Sequence, residues 1–235
     1  EGLTGEGFED ISFSIREGEI LGFAGMMGAG RSEIARAVFG LDRPTSGTIK
    51  MYGKPCRFRS TQDAISAGVV MATEDRASYG FVGVRSIREN IMLPNGDLFT
   101  RWGFWQRPKI HEAVTGICGS LAVKAPNAET LVGNLSGGNQ QKVVLGKWLV
   151  RDVKVLILDE PTRGIDVGAK QEIYKLITEL AEKGLAILLI SSDMPEVLSM
   201  SHRVAVMAQG KKIGVLESGE ATQDKIMKMI VEADR

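Results

Sequence analysis

Histidine and cysteine are both scarce in this chain, with two of each in 235 residues. His111 and His202 lie far apart, and Cys56 and Cys118 lack CxxC spacing. Neither a zinc site nor a disulfide framework is expected from them. Excess charge of either sign is also missing, since 29 Lys plus Arg stand against 29 Asp plus Glu. A sequence-independent nucleic-acid binder normally shows a basic excess, so no nucleic-acid partner is expected. Long apolar runs are absent too. The longest, Leu185 to Ile190, falls far short of the ~20 residues that a membrane-spanning helix needs. The polar opening at Glu1 and Gly2 shows no signal-peptide pattern. What remains is ordinary: 43% hydrophobic and 25% charged residues exclude a disordered or collagen-like chain. The length suits one large domain or two small ones. Composition alone points to a cytosolic, reduced, globular protein.

Periodicity supplies the elements. Ile11, Phe13 and Ile15 alternate with serines, which predicts a half-buried strand. Ile20 to Ala24 reads as a buried strand running into Gly25, and Ser32 to Gly40 as a helix stopped by Gly40. A strand at Ile49 and Met51, a short helix over Thr61 to Ala67 and a buried strand at Val69 to Ala72 follow. The stretch from about Ser86 to Ala128 changes character: it has Gly and Pro breaks and no clear strand, and is expected to be a mostly helical insertion. Its Lys109 and the arginines spread from Arg85 to Arg107 read as a solvated face. Helix resumes from Gly138 to Val150, then a strand at Val155 to Leu158 and an amphipathic helix from Val167 to Lys183. A strand at Leu185 to Ile190, a hairpin over Val204 to Leu216 and a tail helix over Ala221 to Val231 complete the reading. Strands alternating with helices predict a mainly parallel α/β sheet.

Three segments carry chemistry. Gly25-Met26-Met27-Gly28-Ala29-Gly30-Arg31-Ser32 fits the phosphate-loop pattern except that Arg31 replaces lysine. Such a loop converges backbone N–H groups on phosphate oxygens at a helix N-terminus, and Ser32 is placed for Mg²⁺. Val155 to Leu158 runs into Asp159-Glu160, one acid for Mg²⁺ and one to orient or deprotonate a water. Leu135-Ser136-Gly137-Gly138-Asn139-Gln140-Gln141 is a second glycine turn opening a second helix. Singly, these segments also read as a glycine turn, a solvated acidic pair and a helix start capped by Ser136.

Together, and followed by Pro161-Thr162 and Gly164-Ile165-Asp166, their order resembles an ABC-type ATPase domain over essentially the whole chain. More narrowly, the run Gly28 to Glu33, Thr73-Glu74-Asp75-Arg76 and the run Leu135 to Lys142 resemble the C-terminal half of tandem ATPases serving bacterial monosaccharide importers, of the ribose, galactoside and xylose type. The resemblance implies an α/β fold with a mainly parallel core sheet, an antiparallel β-subdomain and a helical subdomain. Residues 1–85 and 151–235 would hold the nucleotide-binding core and β-subdomain, and residues 86–150 the helical subdomain with the signature turn. It implies ATP and Mg²⁺ as cofactors, with Gly25, Gly28, Ala29, Gly30, Arg31 and Ser32 as phosphate cradle. Ser32 and Asp159 would hold Mg²⁺, and Glu160 would polarise the attacking water. Ser136, Gly137, Gly138 and Asn139 would reach ATP held by a second ABC ATPase domain, with Asp166 at the seam. That second domain is expected to be the N-terminal half of the same polypeptide, since the chain starts abruptly at Glu1. Membrane-spanning permease subunits and, indirectly, a periplasmic sugar-binding protein are the further partners implied, at the cytoplasmic face of the inner membrane.

Three positions depart from the family pattern: Arg31 for lysine, Glu74 for the γ-phosphate-sensing glutamine, and Ser192 for histidine. A guanidinium is larger and forked, a carboxylate repels the nucleotide, and a serine carries no positive charge. The site is therefore expected to be degenerate beside an intact signature turn. The aromatic residue that stacks on adenine is expected at or before the start of the chain, because Phe8 lies too close to the loop. The segment from Glu74 through Phe81 and Val82 to Met92 is implied to receive a permease helix and to be partly exposed. Two alternatives stay open: a soluble ABC ATPase acting on nucleic acid or ribosomes, and a non-hydrolysing regulatory module.

Overall fold

The computed structural model describes residues 1–233. Two short strands, β1 (Leu3–Gly5) and β2 (Phe8–Ile11), open the chain, followed by β3 (Ile20–Gly25) and α1 (Arg31–Val38). Next come β4 (Ile49–Met51), β5 (Lys54–Cys56), α2 (Thr61–Ser66) and β6 (Val69–Ala72). A π-helical turn at Arg76–Gly80 leads to α3 (Ile87–Met92), α4 (Gly96–Phe99), β7 (Thr100–Arg101), β8 (Phe104–Trp105), α5 (Arg107–Ser120) and α6 (Gly137–Leu149). The chain continues through β9 (Val155–Asp159), α7 (Val167–Glu182), β10 (Ala186–Ile190) and α8 (Met194–Met200). It ends with β11 (Arg203–Ala208), β12 (Lys211–Glu217) and α9 (Gln223–Ala233). These elements fall into two compact units. One holds Glu1–Met71, Lys154–Glu160 and the chain from Thr178 onward, and the other holds Ala72–Val153 and Pro161–Ile177.

The first unit is built on a six-stranded sheet in the order β12-β11-β3-β10-β9-β6. Strands β11, β3, β10 and β9 run parallel, and β12 returns antiparallel to β11. Central parallel strands are covered on both faces, which is why β10 reads Ala-Ile-Leu-Leu-Ile and is buried throughout. Each large aliphatic residue so buried contributes roughly 1.5–3 kcal/mol. Below the sheet, Val197 of α8 and Ile226 and Ile230 of α9 pack with Ala24, Val204 and Val206. Two antiparallel pairs, β1–β2 and β4–β5, stand as separate small sheets. The alternation over residues 11–15 does not continue a strand, because β2 stops at Ile11. Phe13 instead meets Phe23 edge-on, with ring centroids 5.1 Å apart.

The second unit is mostly helical. Its core joins Ile87 and Ile91 of α3, Phe99, Ile110 and Val114 of α5, Val132, and Val143 of α6. Helix α3 starts at a capping box in which Ser86 and Glu89 satisfy each other's backbone N–H groups. The expectation of no strand fails locally: β7 and β8 form a hairpin, with Trp102 and Gly103 both at positive φ in its turn. A two-residue turn of that geometry normally announces itself with Asn-Gly or Asp-Gly, and tryptophan hid it. The hairpin is a sheet of its own and does not join the six-stranded one. Among the described residues no helix is long and apolar enough to cross a membrane.

Candidate functional site: a phosphate loop and a signature turn

The phosphate loop links β3 to α1 in the first unit. Gly30 occupies the N-cap of α1 at φ 87, and no side chain caps the helix, which leaves its first-turn N–H groups for an anion. Any side chain at Gly30 would bring a Cβ within 2.5 Å of the Gly7 carbonyl oxygen, so the turn is closed to every other residue. At Gly28 the surroundings are open, with nothing within 4 Å of where a Cβ would lie.

Across the sheet from the loop, β9 delivers Asp159 and Glu160. The Ser32 hydroxyl donates to Asp159 Oδ1 at 3.1 Å, which brings two hard oxygens together. Asp159 is buried, and burial pushes its carboxyl up to about 6, with the Ser32 bond acting against the rise and the Glu160 charge adding to it. Such a pair fits Mg²⁺, which takes one or two protein oxygens and completes its shell with phosphate and water. Glu160 stands at φ 50, uncommon for a residue with a side chain. Its carboxylate is held on both oxygens by Ser192, whose amide donates to Oε1 at 2.6 Å and whose hydroxyl donates to Oε2 at 3.0 Å. Arg31 extends to the end of β10 and donates from Nη1 to the Ser191 carbonyl oxygen at 2.8 Å. Burial lowers the pKa of its guanidinium, opposed by the charges of Glu160, Asp159 and Glu33. The structure thus joins Ser32 to Asp159, Arg31 to the β10 terminus and Glu160 to Ser192. Of the histidines, His202 is used by the fold itself, accepting from the Ile20 amide at 3.0 Å.

The signature turn belongs to the second unit. Ser136 takes the N-cap position of α6, but its hydroxyl does not cap the helix; it accepts from Asn139 Nδ2 at 2.8 Å. Asn139 also accepts from the Lys124 amide at 2.7 Å, so the turn is fixed through its asparagine. At Gly138 a Cβ would lie 2.6 Å from the Ala169 Cβ, which demands glycine for close approach. Asp166 caps α7 by accepting from the Ala169 amide at 2.9 Å. Sequence reasoning gave no role to Arg76 or Arg163. Arg76 donates to the carbonyl oxygens of Arg163 and of Gly164, the latter at 3.1 Å, and so ties down the loop before Asp166. Arg163 in turn forms an ion pair with Glu74, so that carboxylate has a cation of its own. The Asp159, Glu160 and Asp166 motifs were legible; Arg76 closes the quoted run from Thr73 and Arg163 lies between two quoted motifs, but only their contacts reveal what either does. In the segment after Glu74, Tyr79, Val82 and Val84 are exposed, whereas Ile87 and Ile91 are buried in the helical core and Phe81 packs against it.

Residues 8–163 match the ABC transporter family. The ribose import ATP-binding protein RbsA of Lactococcus lactis subsp. lactis is 52% identical over 227 residues, covering 97% of this chain and 46% of that protein. A putative ribose/galactose/methyl galactoside import ATP-binding protein of Rhizobium etli is 49% identical over 230 residues, covering 97% and 44%. The chain therefore spans about half the length of the curated relatives it matches. In fold it is similar to an ABC transporter's ATP-binding cassette solved in its ADP conformation, with a TM-score of 0.82, 20% identity and coverage of 98% and 96%. A dimeric cassette bound to ADP and Pi gives a TM-score of 0.78 at 19% identity, covering 93% and 97%. With the phosphate loop, the β9 acids and the signature turn all in place, the chain belongs to the ABC transporter family as one of its ATP-binding cassettes.

Proposed function

We propose that this chain is an ATP-binding domain of a bacterial monosaccharide importer. It works at the cytoplasmic face of the inner membrane with a second ATPase domain and membrane-spanning permease subunits, fed by a periplasmic sugar-binding protein. The observation that carries this reading is the 52% identity of nearly the whole chain to about half of a ribose import ATP-binding protein.

Within that assembly the domain gives more to its partner's ATP than to its own. Residues 86–150 act as the helical subdomain, and Ser136, Gly137, Gly138 and Asn139 supply the signature turn in trans. The loop from Gly25 to Ser32 cradles phosphates, with Ser32 and Asp159 as the Mg²⁺ ligands. Bound ATP with Mg²⁺ supplies the phosphoanhydride bond whose hydrolysis drives transport. Two contacts support a handicapped site. Arg31 is drawn to the Ser191 carbonyl oxygen at the end of β10, and both Glu160 oxygens already accept from Ser192, which fixes the direction from which the carboxylate can meet a water. Nor does Ser192 bring positive charge to a transferring phosphoryl group, which relies on positioned cations.

Steady-state ATP turnover tests the proposal, measured for the chain alone and for the assembled transporter. The chain alone is expected to turn over very slowly, and a bulky residue at Gly137 is expected to lower turnover in the assembly. Turnover by the chain alone at the rate of the assembly would overturn the proposal.

A further inference from the structure

The β7–β8 hairpin turns its aromatic side chains outward. Trp102, Phe104 and Trp105 are 87%, 78% and 54% exposed, while the remaining tryptophan, Trp148, is 7% exposed. Thr100 pairs with Trp105 and Arg101 with Phe104. Paired residues share a face and successive ones alternate, so Phe104 and Trp105 occupy opposite faces with Trp102 at the tip. One face thus carries Phe104 beside Arg101 and the other Trp105 beside Thr100, with the edge of the Trp105 ring near Gly96 of α4. Along the chain from Leu98 to Ile110 the charged residues are Arg101, Arg107 and Lys109, the last donating to the Leu98 carbonyl oxygen at 2.9 Å, and the flanking carboxylates are Asp97, paired with Arg151, and Glu112.

A protein partner would meet one face of such a hairpin, and a stable protein interface buries ~1,200–2,000 Å², far more than these few residues offer. The headgroup layer of a bilayer surrounds an inserted ring on every side and favours tryptophan. Its anionic lipids attract arginine and lysine. We propose that the β7–β8 hairpin is a membrane-surface anchor, seating Trp102, Phe104 and Trp105 among anionic headgroups with Arg101, Arg107 and Lys109 against the lipid phosphates. The anchor does not depend on which solute the importer carries.

Trp102 and Trp105 report on this directly, because Trp148 is shielded. The 235-residue chain is mixed at low ionic strength with phosphatidylcholine vesicles, with and without phosphatidylglycerol. Anionic vesicles are expected to shift tryptophan emission to the blue, and brominated acyl chains to quench it. Three cations predict binding on the order of a hundredfold tighter than to neutral vesicles. Arg101→Glu with Arg107→Glu should erase that preference, and Trp102→Ser with Phe104→Ser and Trp105→Ser should abolish co-sedimentation. Unchanged melting would show both variants folded, and Trp102→Ser alone should weaken co-sedimentation by a smaller factor. The anchor is refuted if the wild-type chain ignores anionic vesicles or if the triple serine variant sediments as before. It is equally refuted if the hairpin binds only the permease, which would make it a protein-docking element.

Discussion

Ser192 grips Glu160 on both carboxylate oxygens, at 2.6 Å through its amide and 3.0 Å through its hydroxyl. Glu160 is held there at φ 50, where a residue with a side chain needs support from its surroundings. Ser192→Ala removes the weaker bond and keeps the amide, so it is expected to cost about 1 kcal/mol and change ATP turnover less than about tenfold. Glu160→Gln should abolish whatever turnover exists while leaving ATP affinity within about threefold, because neutral amide cannot take the proton. Turnover assays and calorimetric titration check both.

Arg31→Lys should tighten ATP binding by about tenfold. The bond to the Ser191 carbonyl competes with a phosphate for the guanidinium and is worth about 1.5 kcal/mol, and lysine's compact ammonium suits the cradle. Glu74→Gln should gain less than about threefold, since exposed Arg163 already screens the carboxylate and such pairs contribute about 0.2–1 kcal/mol. An equal or larger gain from Glu74→Gln in the same titration would contradict the screening role of Arg163.

Gly138→Ala forces a Cβ to within 2.6 Å of the Ala169 Cβ, so α6 must shift against the start of α7. The expected loss is about 1–3 kcal/mol of stability, measured as a lower urea midpoint.

Lys147 donates to the Gly80 carbonyl oxygen, and burial lowers its ammonium from 10.5 to about 8. Below about pH 8 both folded and unfolded chains carry this proton, and the buried charge weighs on the fold. Between about 8 and 10.5 the unfolded chain still holds the proton that the folded chain has lost, so stability rises with pH. Lys147→Met lacks this rise. The wild-type chain should gain about 2 kcal/mol on the variant between neutral and alkaline pH, read from denaturant midpoints at both.

Val82 is exposed whereas Phe81 packs against the helical core. Val82→Asp should therefore block sugar uptake in the assembled transporter while melting is unchanged, if this segment receives the permease. Phe81→Asp should instead lower the melting temperature, because it buries a carboxylate among Ile87 and its neighbours.

Much of the fold and the candidate site could be read from residues 20–40 and 135–190, for physical reasons. A parallel sheet buries both faces of β3, β9 and β10, which writes itself as short unbroken aliphatic runs. Phosphate-binding turns need glycine where a Cβ would strike backbone, as at Gly30, and leave a fixed spacing. These were local demands, and local sequence determined them. Tertiary structure decided the rest. Of Ile11, Phe13 and Ile15, only Ile11 found a pairing partner, in Leu3, whereas Phe13 found a packing contact with Phe23 in place of one. Arg76 clamps a loop 87 residues away, and Ser192 holds a carboxylate 32 residues away. No periodicity spans such separations, so only the folded chain shows which side chain each charge meets.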